Sequence, residues 1–284
     1  MEKSVCVAKK YKLIKKLGEG TFGHIYVGEN KNTRELVAIK LENKTDNKKG
    51  TLKHEANIYK VLDGIKNIPR MRNFGVEGAF NYLIMDLLEE SLDDLMEKQS
   101  KFSITYTISI AIELIDILHQ IHDRGIVHRD LKPENFLIKN NKVFIIDFGL
   151  SKSYLDKDNN HVKMENNKSL IGTIRYASLN VHNNLTYSRR DDLESLAYIL
   201  IYFLKGSLPW QGLKIESLDE KHKKIYDIKT SYNLHTLCQD IPLEFLIYLK
   251  YCHSLKYSEK PNYDYIKSLF TNLKKIHNAS KLID

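Results

Sequence analysis

Cysteine is scarce in this chain: three residues in 284, Cys6, Cys238 and Cys252, with no Cys-x-x-Cys pair. An odd, scattered set gives no disulfide framework and reads as reduced structural thiols of a cytoplasmic or nuclear protein. Long apolar runs are also missing. The longest, Ser195 to Leu204, is too short to cross a bilayer, and the charged residues Arg189 to Asp192 and Glu194 before it fit a buried helix, so no membrane span is expected. Met1-Glu2-Lys3-Ser4 leads into no apolar stretch of the length a secretory signal needs. There is no internal repeat, heptad pattern or low-complexity tract. The net charge of +8 is dispersed and lacks the interleaved aromatics of a nucleic-acid groove, so no specific nucleic-acid partner is expected. Lys9-Lys10-Tyr11-Lys12 with Lys15 and Lys16 resembles a nuclear address, but reads better as the solvated face of a first strand. Attraction to acidic protein partners is the simpler use of that charge, by a chain expected to be a monomer.

What is present is chemistry at fixed spacing. His128-Arg129-Asp130-Leu131-Lys132-Pro133-Glu134-Asn135 is followed by Asp147-Phe148-Gly149. Both segments, in this order, resemble the catalytic loop and metal loop of a protein kinase. Phosphoryl transfer passes through a loose transition state, so the protein mostly positions groups and neutralises charge. Asp130 is placed to orient a hydroxyl and accept its proton, and Lys132 to reach the migrating phosphoryl group. Asn135 and Asp147 offer hard oxygens suited to Mg2+ on the phosphates of ATP. Phe136-Leu137-Ile138 and Val143 to Ile146 read as short strands around an Asn140-Asn141 turn.

Upstream, Leu17-Gly18-Glu19-Gly20-Thr21-Phe22-Gly23-His24-Ile25 matches a glycine-rich loop. A dinucleotide-binding unit needs a helix after its third glycine, whereas Ile25-Tyr26-Val27 continues as a strand. The glycines therefore belong to a hairpin whose amides can cover phosphates, and Leu17, Gly18, Gly20, Gly23 and Ile25 are candidate nucleotide contacts. Val37-Ala38-Ile39-Lys40 matches the strand whose lysine touches those phosphates, with Ala38 beside it. Glu55, on the first turns of a helix, is expected to hold Lys40; Glu42 competes but lies too close along the same strand. Asp86-Leu87-Leu88 is the expected hinge, with backbone groups of Asp86 and Leu88 on the adenine and Met85 behind it. Ser91 to Glu97 begins a helix with Ser91 as N-cap and Asp94 completing a capping box. Ile108 to His122 is an amphipathic helix whose His119 and His122 read as surface or satisfied polar groups rather than metal ligands.

The later motifs identify a branch. Gly172-Thr173-Ile174-Arg175-Tyr176-Ala177-Ser178 is followed by Ser188 to Ser195, then Gly206-Ser207-Leu208-Pro209-Trp210-Gln211-Gly212 and Lys260-Pro261-Asn262-Tyr263. Together these resemble the casein kinase I family of serine/threonine kinases, from about Tyr11 to Leu273. Ser178-Leu179-Asn180 stands where most kinases have Ala-Pro-Glu, as in that family. The resemblance implies an α+β, bilobal fold: a small β-rich N-lobe over residues 1–87 and a larger helical C-lobe over 88–284. It also implies a Mg-ATP-dependent kinase of acidic or already phosphorylated proteins. Arg175, Gly212 and Lys224 would form an anion pocket for the substrate, although Ile215 to Glu220 leaves the register of Lys224 open. Arg129, Lys152 and Lys168 would form a second anion site, and activity would not need activation-loop phosphorylation. A pseudokinase scaffold would usually lack one of Lys40, Asp130, Asn135 or Asp147, and a small-molecule kinase would lack the Thr173 to Ser178 motif.

Overall fold

The computed structural model describes residues 6–20, 23–44, 51–166 and 169–280. Backbone packing divides the chain into two compact units, one comprising Met1–Glu90 with Leu137–Ser151, the other Ser91–Phe136 with Lys152–Asp284. The segment after the catalytic loop thus packs with the β-rich unit, not with the helical one in which a cut at 87/88 places it.

The first unit is built on strands β1 (Cys6–Val7), β2 (Tyr11–Gly20), β3 (Gly23–Asn30), β4 (Leu36–Asn43), β5 (Met71–Glu77) and β6 (Phe80–Asp86), with helix α1 (Thr51–Val61). The six strands form one sheet in the order β1-β2-β3-β4-β6-β5. Alternation along β4 decides what each face holds. Val37 and Ile39 join Val7, Tyr11, Tyr82 and Ile84 in an apolar cluster on one side. Ala38, Lys40 and Glu42 take the other, where α1 supplies their partners. Glu42 accepts hydrogen bonds from the Thr51 hydroxyl and the Leu52 amide, at 3.1 Å for the latter. It thereby caps an α1 whose own first turn carries no acid. This employment of Glu42 leaves Glu55 for Lys40. Gly23 is required by geometry: its φ is +143°, and a Cβ there would lie 2.0 Å from the Leu41 carbonyl oxygen.

The chain continues through α2 (Leu92–Gln99), α3 (Ile104–Asp123), β7 (Ile126–Val127), a 3-10 turn at Pro133–Asn135, the paired strands β8 (Phe136–Lys139) and β9 (Lys142–Ile145), and β10 (Lys152–Ser153). Asn140 and Asn141 make the β8–β9 turn with φ of 52° and 59°, the left-handed conformation Asn tolerates best. Ser91 caps α2 in a capping box with Asp94. After it come α4 (Leu179–His182), α5 (Arg189–Lys205), α6 (Leu218–Ser231), α7 (Leu234–Leu237), α8 (Leu243–Ser254) and α9 (Tyr263–Ser280). α3 packs on α9 and α5, and α5 on α8. By length and composition α3 could cross a membrane, but half of that stretch is buried inside the protein, as in a core helix.

Asp192, on the first turn of α5 and fully buried, organises the helical unit. It accepts hydrogen bonds from His122 Nε2 (2.9 Å), the His128 amide (2.7 Å), the Arg129 amide (3.0 Å) and the Tyr187 hydroxyl (2.8 Å). His122 is thus a satisfied core residue, its other ring nitrogen 2.6 Å from the Tyr263 hydroxyl. Burial alone would raise the Asp192 pKa, but His122, then His128 and the Arg129 amide, hold it below the ordinary carboxylate value. Its stabilisation is therefore complete above the unfolded value of about pH 4 and is lost as pH falls through the lower folded value. Asp192→Ala leaves these donors without an acceptor and is expected to lower stability by about 3–5 kcal/mol in chemical denaturation at neutral pH. A wild-type denaturation midpoint in the variant would contradict this.

Candidate functional site

In the β-rich unit, strand register gathers the residues expected to meet a nucleotide. Gly18 pairs with Ile25, Ile25 with Lys40, and Ala38 with Met85. Cross-strand partners point the same way, so Gly18, Ile25, Ala38, Lys40 and Met85 share one face of the sheet. Leu17 falls in the register shift between Lys16 and Gly18 and is 52% exposed. Gly20 and Gly23 are the paired residues closing the hairpin, and Thr21 and Phe22 lie outside the described residues. A Cβ on Gly18 meets no atom within 4 Å, so its backbone is open to close approach.

On the same face Lys40 is almost fully buried between two carboxylates. Its Nζ lies 2.7 Å from Glu55 Oε2 and 3.2 Å from Asp147 Oδ1. Burial by itself pushes a lysine pKa down, but Glu55 and Asp147 together raise that of Lys40 above its ordinary value. A fixed cation results, suited to phosphate oxygens. Asp147 itself holds φ at +63°, and next to it Phe148, fully buried, packs edge-on against Tyr59 of α1, ring centroids 5.1 Å apart. The same helix reaches Ser151, whose carbonyl oxygen is 2.7 Å from His54 Nε2. α1 therefore fixes both the lysine's partner and the segment carrying Asp147. At the expected hinge the Asp86 amide donates to the Arg70 carbonyl (3.1 Å), and its carboxylate accepts from Arg72 Nε (2.6 Å). The Leu87 carbonyl accepts from Lys139 Nζ (3.1 Å), and Leu88 follows it outside any strand or helix.

In the helical unit the acceptor-side residues converge on Asp130, 7% exposed. Lys132 Nζ lies 2.9 Å from Asp130 Oδ2, while the Thr173 amide and hydroxyl both donate to Oδ1 at 2.8 Å. Asn135 donates its side-chain amide to the Asp130 carbonyl (2.9 Å), which leaves the side-chain oxygen as its remaining acceptor, the hard donor a divalent metal takes. Gly172 has φ of +89°, and a Cβ there would lie 2.3 Å from the Arg129 carbonyl oxygen, so only glycine brings Thr173 to Asp130. The backbone of Asp130 is set from behind by Asp192 through the amides of His128 and Arg129.

The two expected anion groups fare differently. Arg175 is half-buried above the Tyr176 ring, 5.7 Å from its centroid, and Gly212 turns with φ of +71°. On α6, Lys224 is exposed and Lys221 half-buried. His222 and Lys223 instead line a hollow of about 470 Å3 with Leu170, His182 and Tyr226. In the second group, Arg129 has a buried Nε with no hydrogen-bond partner among the described residues, and burial lowers its pKa. Lys152 is exposed in the β7–β10 ladder, paired with Val127, and Lys168 lies outside the described residues.

Three groups were missed from sequence. Asp191 accepts from the Ser178 hydroxyl (2.6 Å) and Glu194 from the Leu179 amide (2.8 Å), so α5 carboxylates anchor the Ser178-Leu179 segment directly. Lys229 of α6 is buried below the same stretch. Its signal was the i, i+4 spacing with Ile225, which puts a lysine in the helix's inward stripe. A cation held by two carboxylates in one unit, and a carboxylate bonded by lysine and threonine in the other, are groups that ATP-dependent phosphoryl transfer can use. The family model for the protein kinase domain matches residues 11–277, and the chain, by that membership an ATP-binding phosphotransferase, belongs to the protein kinase domain family.

Proposed function

We propose that the protein is a serine/threonine kinase of the casein kinase I type, transferring the γ-phosphate of ATP to hydroxyls of acidic or already phosphorylated proteins in the cytoplasm or nucleus. The observation that carries the reading is the Asp130 cluster: a buried carboxylate with Lys132 on one oxygen and the Thr173 backbone on the other. In this reading Asp130 takes the proton of the attacking hydroxyl, and Lys132 steadies the phosphoryl group in transit. Lys40 binds phosphate oxygens, and the Asn135 and Asp147 oxygens are the donors for magnesium, which neutralises charge on the phosphates when bound. All four residues that a pseudokinase tends to lose are present, and the Thr173 contact to Asp130 favours a protein acceptor over a small molecule.

The substrate preference rests on Arg175, whose planar guanidinium suits a phosphate or carboxylate, with Gly212 and Lys224 completing the pocket in the reading. The orphaned Nε of Arg129 supports the second anion site. An anion taken from solution or from the substrate would serve there, so phosphorylation of the protein itself is not required. The test uses phosphatase-treated protein made in bacteria and three serine peptides, carrying phosphoserine, aspartate or alanine upstream of the acceptor. Label from γ-labelled ATP is expected on all three, with kcat/KM for the phosphoserine and aspartate peptides at least about tenfold above alanine, the effect of one charge-assisted contact. Equal rates on the three peptides would refute the anion preference, and an inert phosphatase-treated enzyme would refute independence from phosphorylation.

A further inference from the structure

Between Thr173, held by Asp130, and Ser178-Leu179, held by Asp191 and Glu194, lie four residues that belong to no strand or helix. Three of their carbonyls go to two side chains with no role so far. Lys229, 3% exposed, donates from Nζ to the carbonyls of Ile174 (3.2 Å) and Ala177 (2.6 Å). Trp210 donates from Nε1 to the carbonyl of Arg175 (2.8 Å). The ammonium group sits over the rings of Tyr198 and Trp210, 4.8 and 5.1 Å from their centroids. No ion pair at salt-bridge distance neutralises it among the described residues; of the charged groups around it, Glu194 of α5 attracts it and His182 of α4 faces it.

A buried lysine without a salt bridge is costly, and burial pushes its pKa down to about 7 although Glu194 opposes the shift. An apolar residue at 229 would avoid that cost and still fill the space. What it could not do is bind two carbonyls three residues apart from one point, which an amine with splayed N–H donors does. The cationic head also suits a floor of two aromatic faces. The same carbonyls left bare in a buried place would be unsatisfied, and the loop would lose its single conformation.

We propose that Lys229, assisted by Trp210, is a positioning residue for the protein acceptor: it fixes the main chain of residues 174–177 and thereby the place of Arg175. This rests on the reading of Arg175 as an anion contact only for the part that concerns peptide preference. The loop's effect on any peptide follows from Thr173 and Asp130 alone.

The full chain carrying Lys229→Met keeps an unbranched side chain one atom shorter and removes the donors. Four quantities are read: kcat and KM for the aspartate and alanine peptides, KM for ATP, and the slow hydrolysis of ATP by water. Peptide kcat/KM is expected to fall roughly ten- to a hundred-fold, the worth of one or two lost hydrogen bonds to a charged group. The loss should appear mainly in peptide KM, with KM for ATP and hydrolysis within about twofold of wild type, because uniform binding of the acceptor is what is removed. The aspartate peptide should also lose most of its advantage over alanine. Wild-type peptide kinetics in the variant would overturn the proposal, and so would a parallel loss of hydrolysis and peptide transfer, since that marks a merely structural residue. If Lys229→Met does not fold, Trp210→Phe decides: it keeps a ring under the ammonium, removes one donor, and must show the same peptide-selective loss of about three- to tenfold. If wild type shows no aspartate preference, the anion reading fails, while the alanine peptide still tests the positioning role.

Discussion

Replacing Lys40 with methionine is expected to cut kcat by about 10²–10³, the usual effect of deleting one donor from a preorganised charge-stabilising site. The same change has a second, separable consequence. Glu55 is 1% exposed, and Lys40 is the cation that compensates it. Without that cation a carboxylate remains buried beside Asp147, a loss of about 3–5 kcal/mol at neutral pH. Glu55 would escape by binding a proton, with a folded pKa far above its unfolded value. A group raised in this way destabilises the fold once pH exceeds the unfolded value, so the variant gains stability on acidification from pH 8 to 6. The double change Lys40→Met with Glu55→Gln should therefore restore much of the melting temperature and none of the activity. Thermal melts across pH together with kcat measurements decide it. A single variant that melts like wild type at pH 8, or a double variant that regains turnover, contradicts the ion-pair assignment.

Asp130→Asn separates chemistry from structure in the helical unit. Asparagine keeps the Oδ1 that accepts from the Thr173 amide and hydroxyl, so the loop stays in place. What disappears is the base and the partner of Lys132 at 2.9 Å. General-base contributions run to about 10²–10⁴ in rate, and kcat should fall within that range. Nucleotide affinity by calorimetry should not change, because Lys40 and Asp147 are untouched. An unaltered kcat would mean that Asp130 only organises the loop.

Much of this is legible in the sequence, because the chemistry is local there. The catalytic loop and Asp147 lie close together in the chain, and the glycine hairpin declares itself by the strand continuing after Gly23. Lys40 and Glu55 could be paired because β4 and α1 are consecutive elements and the competitor Glu42 shares the strand. Less legible was anything set by distant packing. Glu42 capping α1 depends on how the strand exits, and the contacts of Asp192 with His122 and Tyr187 join separate parts of the chain. Nothing beyond its spacing from Ile225 marks Lys229 in the sequence; only the fold shows that its side chain meets carbonyls 52 and 55 positions earlier. For Lys221 to Lys224 the burial depends on how α6 is rotated about its axis, which the basic run alone does not fix. The packing of 137–151 with the β-rich unit is likewise a matter of pairing, since the Glu89 amide and the Ile138 carbonyl meet across 49 positions.

The most direct measurement is a single-turnover transfer of labelled γ-phosphate from magnesium-ATP to a serine peptide, run in parallel on wild type and Asp130→Asn with enzyme in excess. Label should reach the serine in wild type within the first turnover and lag by at least about a hundredfold in the variant at equal nucleotide occupancy. No label on the peptide with wild type, or the same rate from both proteins, would contradict the assignment of Asp130 as the group that accepts the hydroxyl proton.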